Sequence, residues 1–447
     1  MIITFYQDKF SVKKFAITPK SEEKMQLFYK VFKLKPKEWK LLLYSVSFIL
    51  LLFASYSILR PIRDALGLEG GKEELKWLFM GTFLATLLSS IVAMFVSSRV
   101  QRRYYINSIF YFFALNLVGF YIAFYFISPS SSYYLWLSRC FFIWVSVFNI
   151  FVISSAWSLL TDLFNKDSSK RLFGIVMAGS SLGSILGSFG VAQLIVILGH
   201  VHFIAISIVL ILLSVILKSL LVKESYLLLA EDKKQEFKQR FFQPVGVKNP
   251  FSGFKIIIQS PYLLTFLAFI LLLTSVSTFL YMEQARIVKI VFTTRDERVR
   301  VFANIDFFVQ SASLFLQIFA TSRIMEKFGA KFLLSTLGFL VGIGFIILAF
   351  SHPSFLPLVI IMSIRRIGEY VLIKPGREML FVPMNSEQKY KVKNFLDSVV
   401  YRGGDTLGAQ LEGALAKISI TLTLLVGALL SFAWGTLGYY LGKKYEE

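Results

Sequence analysis

The sequence predicts an all-α polytopic membrane protein with twelve transmembrane helices in two bundles of six. Three observations carry that expectation. Of 447 residues, 56% are hydrophobic and only 17% are charged, which is not the balance of a soluble domain. Apolar runs of about 20 residues, enough to cross roughly 30 Å of hydrocarbon, recur along the chain. A long polar stretch with Pro244, Gly246, Pro250 and Gly253 divides these runs into six and six.

In order, the spans are expected at 40–60, 77–98, 104–127, 133–161, 172–198, 201–222, 261–284, 301–322, 331–350, 355–380, 394–417 and 419–442. The organisation is then an N-terminal segment 1–39, a first bundle 40–222, a linker 223–260, a second bundle 261–442 and a tail 443–447. The first 38 residues lack an apolar core before a cleavage site, so no signal peptide is expected. Cys140 is the one cysteine, which excludes an intrachain disulfide.

The net charge of +21 sits mostly at the ends and in alternate joints of the chain, not in a nucleic-acid-binding patch. The N-terminal segment, the linker, the tail and the joints 99–103, 166–171, 323–331 and 389–393 are all basic. The opposite joints 128–132, 199–202 and 351–354 hold no Lys, Arg, Asp or Glu. The positive-inside rule therefore places both termini and the linker in the cytoplasm, with a bacterial inner membrane as the expected location. The stretch from Arg286 to Arg300 breaks the pattern, being basic on the outer side. It suits either a lure for anions at the mouth or a plain exception to the rule.

Charge inside the spans recurs with period three. Spans 1, 4, 7 and 10 carry Arg60 and Arg63, then Arg139 and Asp162, then Glu283 and Arg286, then Arg365, Arg366, Glu369 and Lys374. Spans 3, 6, 9 and 12 carry essentially none in their interiors. Intramembrane charge is expensive and normally faces a protein interior or a watery cavity. Six plus six helices with every third one charged resembles the plan of the major facilitator type of secondary transporter.

Single residues refine the picture. Pro61 favours a kink, and Arg60 and Arg63 share one helix face beside Asp64. The planar fork of an arginine suits phosphate or carboxylate, although Arg63 equally suits the outer interface, where it would snorkel. Within span 10, Glu369 can neutralise either Arg365 at i,i+4 or Arg366 at i,i+3, leaving the other arginine and Lys374 for an anion. Glu283 fits a counter-charge, a proton site or a substrate contact. Span 11 adds Asp397, Arg402, Asp405 and Glu412, with Gly403-Gly404 marking a break or a tight contact, and span 8 adds Asp306, Gln310 and Gln317. In span 5, Gly179, Gly183 and Gly187 read first as a helix-packing stripe. Trp144 and Trp157 are candidates to stack on a ring. His200 and His202 lack a third ligand, so no metal is expected. No phosphate-cradling Gly-rich Lys loop and no nucleophile–base pair is present, so neither an enzyme nor a cofactor is expected.

The segment from Tyr370 to Asp405 resembles the ATP/ADP translocases, nucleotide transporters of plastids and intracellular bacteria. Arg377-Glu378-Met379-Leu380-Phe381-Val382-Pro383-Met384 is similar to their Lys-Glu-Met-Ala-Tyr-Ile-Pro-Leu, and Lys389, Lys391, Lys393 and Asp397 follow at the family spacing. Leu59-Arg60 and Arg63-Asp64 match in span 1, and Glu283 in span 7. The chain departs from the pattern at Ile143, where the family has an acid, at Lys374, where it has Asp, and at Asp405, where it has Lys. The last two departures are opposite in sign and suggest a swapped ion pair, Lys374 with Asp405.

The resemblance implies nucleotide exchange by alternating access. Arg60, Arg63, Arg139, Arg365, Arg366 and Lys374 would hold phosphates, and Asp64, Glu283, Glu369, Asp397 and Asp405 would balance charge or couple movement. Beyond the bilayer, the expected partner is a small anion, a nucleotide first, and not nucleic acid; the sequence leaves the oligomeric state open, a monomer included. The same residues also fit a proton-coupled carrier of another organic anion, or a membrane protein that kept the fold without transport.

Overall fold

A computed structural model describes residues 35, 37–71, 74–164, 166–229, 231–244, 251–381, 384 and 386–447. Most of the expected N-terminal segment and part of the linker lie outside the described residues. Among those described, the regular structure is helical, with one isolated bridge between Gln101 and Pro244.

Spans 1 to 4 are Trp39–Leu66, Leu75–Ser97, Arg102–Phe126 and Ser132–Leu163. Spans 5 and 6 run together as Lys166–Leu227, interrupted where Gly199 takes φ +72° and ψ 160°. A positive φ is cheap only for glycine. Gly187 and Ser207, on either side of it, both meet residues 54–57 of span 1, so the chain folds back there. Spans 7 and 8 are Pro261–Val291 and Arg295–Phe319. Span 9 occupies the part of Thr321–Ser351 beyond a break at Gly329, where φ is +70°.

Span 10 is Phe355–Gly368, a π turn Glu369–Ile373 and Lys374–Met379; span 11 is Ser386–Phe395, a π turn Leu396–Val400 and Tyr401–Leu415; span 12 is Ile420–Glu446. Nine described helices are long and apolar enough to cross a membrane. Unfolding the fold-back at Gly199 and adding the charged, π-interrupted spans 10 and 11 agrees with twelve. Pro61 does not end span 1, which runs through it. The linker carries the helix Glu231–Phe242 and docks at span 3, where the Arg102 N–H donates to the Gln243 carbonyl at 3.0 Å.

The glycine stripe of span 5 packs on span 1. A methyl group at Gly183 would stand 2.2 Å from the Leu50 carbonyl oxygen, so only hydrogen fits and the two backbones touch. Spans 7 and 11 meet in the same way: a methyl at Gly404 would stand 2.1 Å from Thr274 Oγ1. The Gly403-Gly404 pair is therefore a contact, not a break.

The two halves are joined at one end. Tyr281 OH donates to Asp64 at 2.9 Å, Lys289 Nζ to the Leu68 carbonyl at 2.7 Å, and Arg295 Nε to Glu69 at 2.8 Å. Thr406 and Gln410 of span 11 donate to the carbonyls of Phe79 and Lys76 in span 2, each at 3.2 Å. Met282, Ala285, Val288 and Val299 accordingly pack into the hydrophobic core of the first half. These contacts all lie toward the end away from the linker.

The basic stretch Arg286–Arg300 turns out to be mostly helix, and its cations are mostly engaged. Arg286 pairs with Glu283 and Glu412, Lys289 and Arg295 clasp the first half, and Arg298 donates to the carbonyls of Phe292 and Thr293 at 3.0 and 2.8 Å. Most of these charges are thus bound internally, which leaves little to lure an anion.

Candidate functional site

Spans 1, 8 and 10 bring a buried ion cluster to the seam between the halves. Asp306, 6% exposed, is its hub. Arg366 Nη2 lies 2.5 Å and Arg60 Nη1 3.7 Å from the same Asp306 oxygen. One carboxylate thus serves two guanidinium groups from opposite halves. Removing one partner of a buried ion pair strands a charge and costs about 3–5 kcal/mol. Next to it, Arg63 pairs with Asp64 at 2.6 Å and lies over the Phe142 ring. Arg365 pairs with Glu369 at 3.0 Å and donates to Ser277 at 2.5 Å.

The i,i+4 option in span 10 is therefore the one taken, and Arg366 is not left free, because Asp306 reaches it from span 8. The swapped pair is not formed. Asp405 accepts from Thr278 at 3.2 Å and faces Arg402 at 3.5 Å, while Lys374 Nζ sits 3.9 Å from the centre of the Tyr370 ring. The π turn Glu369–Ile373 lies between Arg366 and Lys374 and sets them on a register that an ideal helix does not predict.

Lys374 has no carboxylate within 4 Å among the described residues. It lines a cavity of about 820 Å³ between the halves, with Phe53, Trp157 and Ser184 on one wall and Gln310, Tyr370 and Arg377 on the other. That size lies within the usual range for small-molecule sites, about 300–1,000 Å³. Gln310 reaches the Tyr370 hydroxyl at 3.5 Å, and Gln317 donates to its carbonyl at 3.2 Å. The arrangement offers an ammonium as a point charge, amide donors and an aromatic wall.

Other expected residues lie elsewhere. Arg139 is at the closed end, paired with Glu74 and stacked over Trp136 at 4.5 Å, away from the cavity. Asp162 pairs with Arg102 at 3.0 Å, so span 4 carries its charges at both ends and breaks the three-fold rhythm in its interior. Asp397 pairs with Arg377 at 3.1 Å. Glu283 is fully buried, bound by Arg286 and by His352 Nδ1 at 2.5 Å. The sequence shows Asp306 as a polar residue of span 8 but gives it no role as the hub of the cluster. His352, in a joint free of Lys, Arg, Asp and Glu, carried no signal of its pairing.

The Major Facilitator Superfamily model matches residues 1–188 and 158–368. This chain belongs to the Major Facilitator Superfamily. It is a secondary transporter of that type and a polytopic membrane protein. Among solved structures, this facilitator is similar to a bacterial homolog of the human lysosomal transporter Spinster, inward-facing and unoccupied, at 16% identity over 92% of this chain and 96% of that one, TM-score 0.57. It is also similar to a POT family transporter in complex with a thioalcohol-conjugated peptide, at 14% identity over 90% and 96%, TM-score 0.57. A POT family transporter in complex with 5-aminolevulinic acid matches at 14% identity over 90% and 96%, TM-score 0.58. At these identities the likeness establishes the fold. No curated protein matches the chain.

Proposed function

We propose that this facilitator moves a multiply anionic, phosphorylated metabolite by alternating access, with adenine nucleotide exchange as the first choice. The observation that carries the reading is Lys374 on the wall of the inter-half cavity, a cation with no carboxylate within 4 Å among the described residues. Arg60, Arg63, Arg365 and Arg366 stand close by, balanced by Asp64, Asp306 and Glu369, so the region keeps an excess of positive charge. The span 1 and span 10 motifs shared with ATP/ADP translocases support phosphate as the partner. With the linker and termini in the cytoplasm of a bacterium, as the basic joints argue, the cavity opens inward. Arg139, apart from the cavity, has no substrate role in this reading.

A second reading is favoured by the Glu283–His352 contact: a proton-coupled carrier of another organic anion. Proteoliposomes separate the two. Uptake of labelled ATP only against internal ADP supports exchange, whereas uptake driven by a pH gradient without internal nucleotide supports the rival. Lys374→Gln is expected to lower nucleotide uptake at least tenfold in folded, reconstituted protein.

A further inference from the structure

The walls of the cavity differ in chemistry. The second half contributes the ammonium of Lys374, with Arg377 and Glu378 beside it already paired to Asp397 and Lys393; the first half contributes Phe53, Trp157 and the hydroxyls of Ser180 and Ser184. The two tryptophans of span 4 have different surroundings. Trp144 has four ring neighbours, Phe113, Phe120, Phe141 and Phe148, with centres 5.3–6.4 Å away, and packs against the aromatic core. Trp157 meets one ring, Phe173, at 6.5 Å and 66°. Both tryptophans are half-buried with no hydrogen-bond partner for the indole N–H among the described residues; what sets Trp157 apart is its single ring contact and its place on the cavity wall. A large ring left partly open on a cavity wall, with a spare donor and hydroxyls beside it, is built for a flat polar ring. Along span 1, Phe53 stands seven residues from Arg60, two turns and about 10 Å on the same face, so the surface grades from aromatic to cationic.

We propose that the cargo is an anion carrying a planar ring, laid across the cavity with its ring on Trp157 and its charged end at Lys374. Trp157 is then the specificity-determining residue, and each half reads a different part of one molecule. A cargo bound in this way links the two walls, so a ringless anion fills only the second half's share of the contact. This rests on the phosphorylated-cargo reading above and adds the residue that reads the ring.

The test is calorimetric titration of the purified full-length protein with ATP, inorganic tripolyphosphate and adenosine. Stacking on an aromatic side chain contributes about 1–3 kcal/mol per base, so Trp157→Ala is expected to weaken ATP binding roughly tenfold or more. Tripolyphosphate binding by the same variant should stay within about twofold, which also shows that the variant is folded. Trp157→Phe should recover most of the ATP affinity, and Lys374→Gln should weaken both phosphates. Equal loss of ATP and tripolyphosphate on Trp157→Ala, or no loss of either, overturns the proposal. Wild-type protein that binds tripolyphosphate as well as ATP overturns the ring alone. Wild-type protein that binds neither phosphate removes the reading beneath it.

Discussion

At the scale of the residue, Asp306 joins two arginines that belong to different halves. Asp306→Asn keeps the shape and removes the charge, leaving Arg60 and Arg366 facing each other with little else to neutralise them. The loss should be about 3–5 kcal/mol, seen as a drop of many degrees in thermal unfolding midpoint in detergent. Asp306→Glu should recover part of it. An unchanged midpoint for Asp306→Asn would show that the cluster holds the seam together far less than its burial implies. The individual charges of this cluster were legible, since arginine inside an apolar run stands out. Their partners were not, because Asp306 lies 60 positions from Arg366 and sequence spacing says nothing about pairs between spans.

At the scale of the element, the four-residue glycine rhythm of span 5 was legible because helical periodicity links sequence directly to a face. Its meaning is testable. Gly183→Val places atoms inside the reach of the Leu50 carbonyl and should abolish recovery of folded protein. Gly190→Val, with nothing within 4 Å of the added carbon, should leave yield and midpoint nearly unchanged. Equal behaviour of the two would refute tight contact between spans 1 and 5. The π turns at Glu369–Ile373 and Leu396–Val400 show the limit of the same logic. The pair Lys374 with Asp405 was suggested by two departures of opposite sign from the translocase pattern, which carry no information on register; an inserted i→i+5 turn shifts every later side chain, and no residue pattern announces it. The count of twelve spans survived because hydropathy depends on composition over about 20 residues and not on register. The expected three-fold rhythm held for spans 1, 7 and 10, where charges lie inward, and failed for span 4, whose charges sit at its ends.

At the scale of the whole molecule, the asymmetry of contacts defines the conformational state. The halves are clasped at the end away from the linker by Arg295–Glu69, Lys289–Leu68 and Tyr281–Asp64, and the cavity lies between them on the other side. Alternating access requires this clasp to open. The Arg295–Glu69 pair is partly screened, at 16% and 22% side-chain exposure, so its loss is worth about 1 kcal/mol. That shifts a two-state equilibrium roughly fivefold. Spin labels at Ser130 and Ser354, both in exposed joints of that end but on different halves, report the opening when Cys140 is first replaced by serine. Glu69→Ala is expected to raise the population of the longer distance several-fold. Glu69→Gln, which keeps a hydrogen-bond acceptor for the guanidinium, should raise it less. A distance distribution that ignores both substitutions would move the clasp away from Arg295 and onto the hydrophobic contacts of Met282, Ala285 and Val288, which the same labels then test through Val288→Ser.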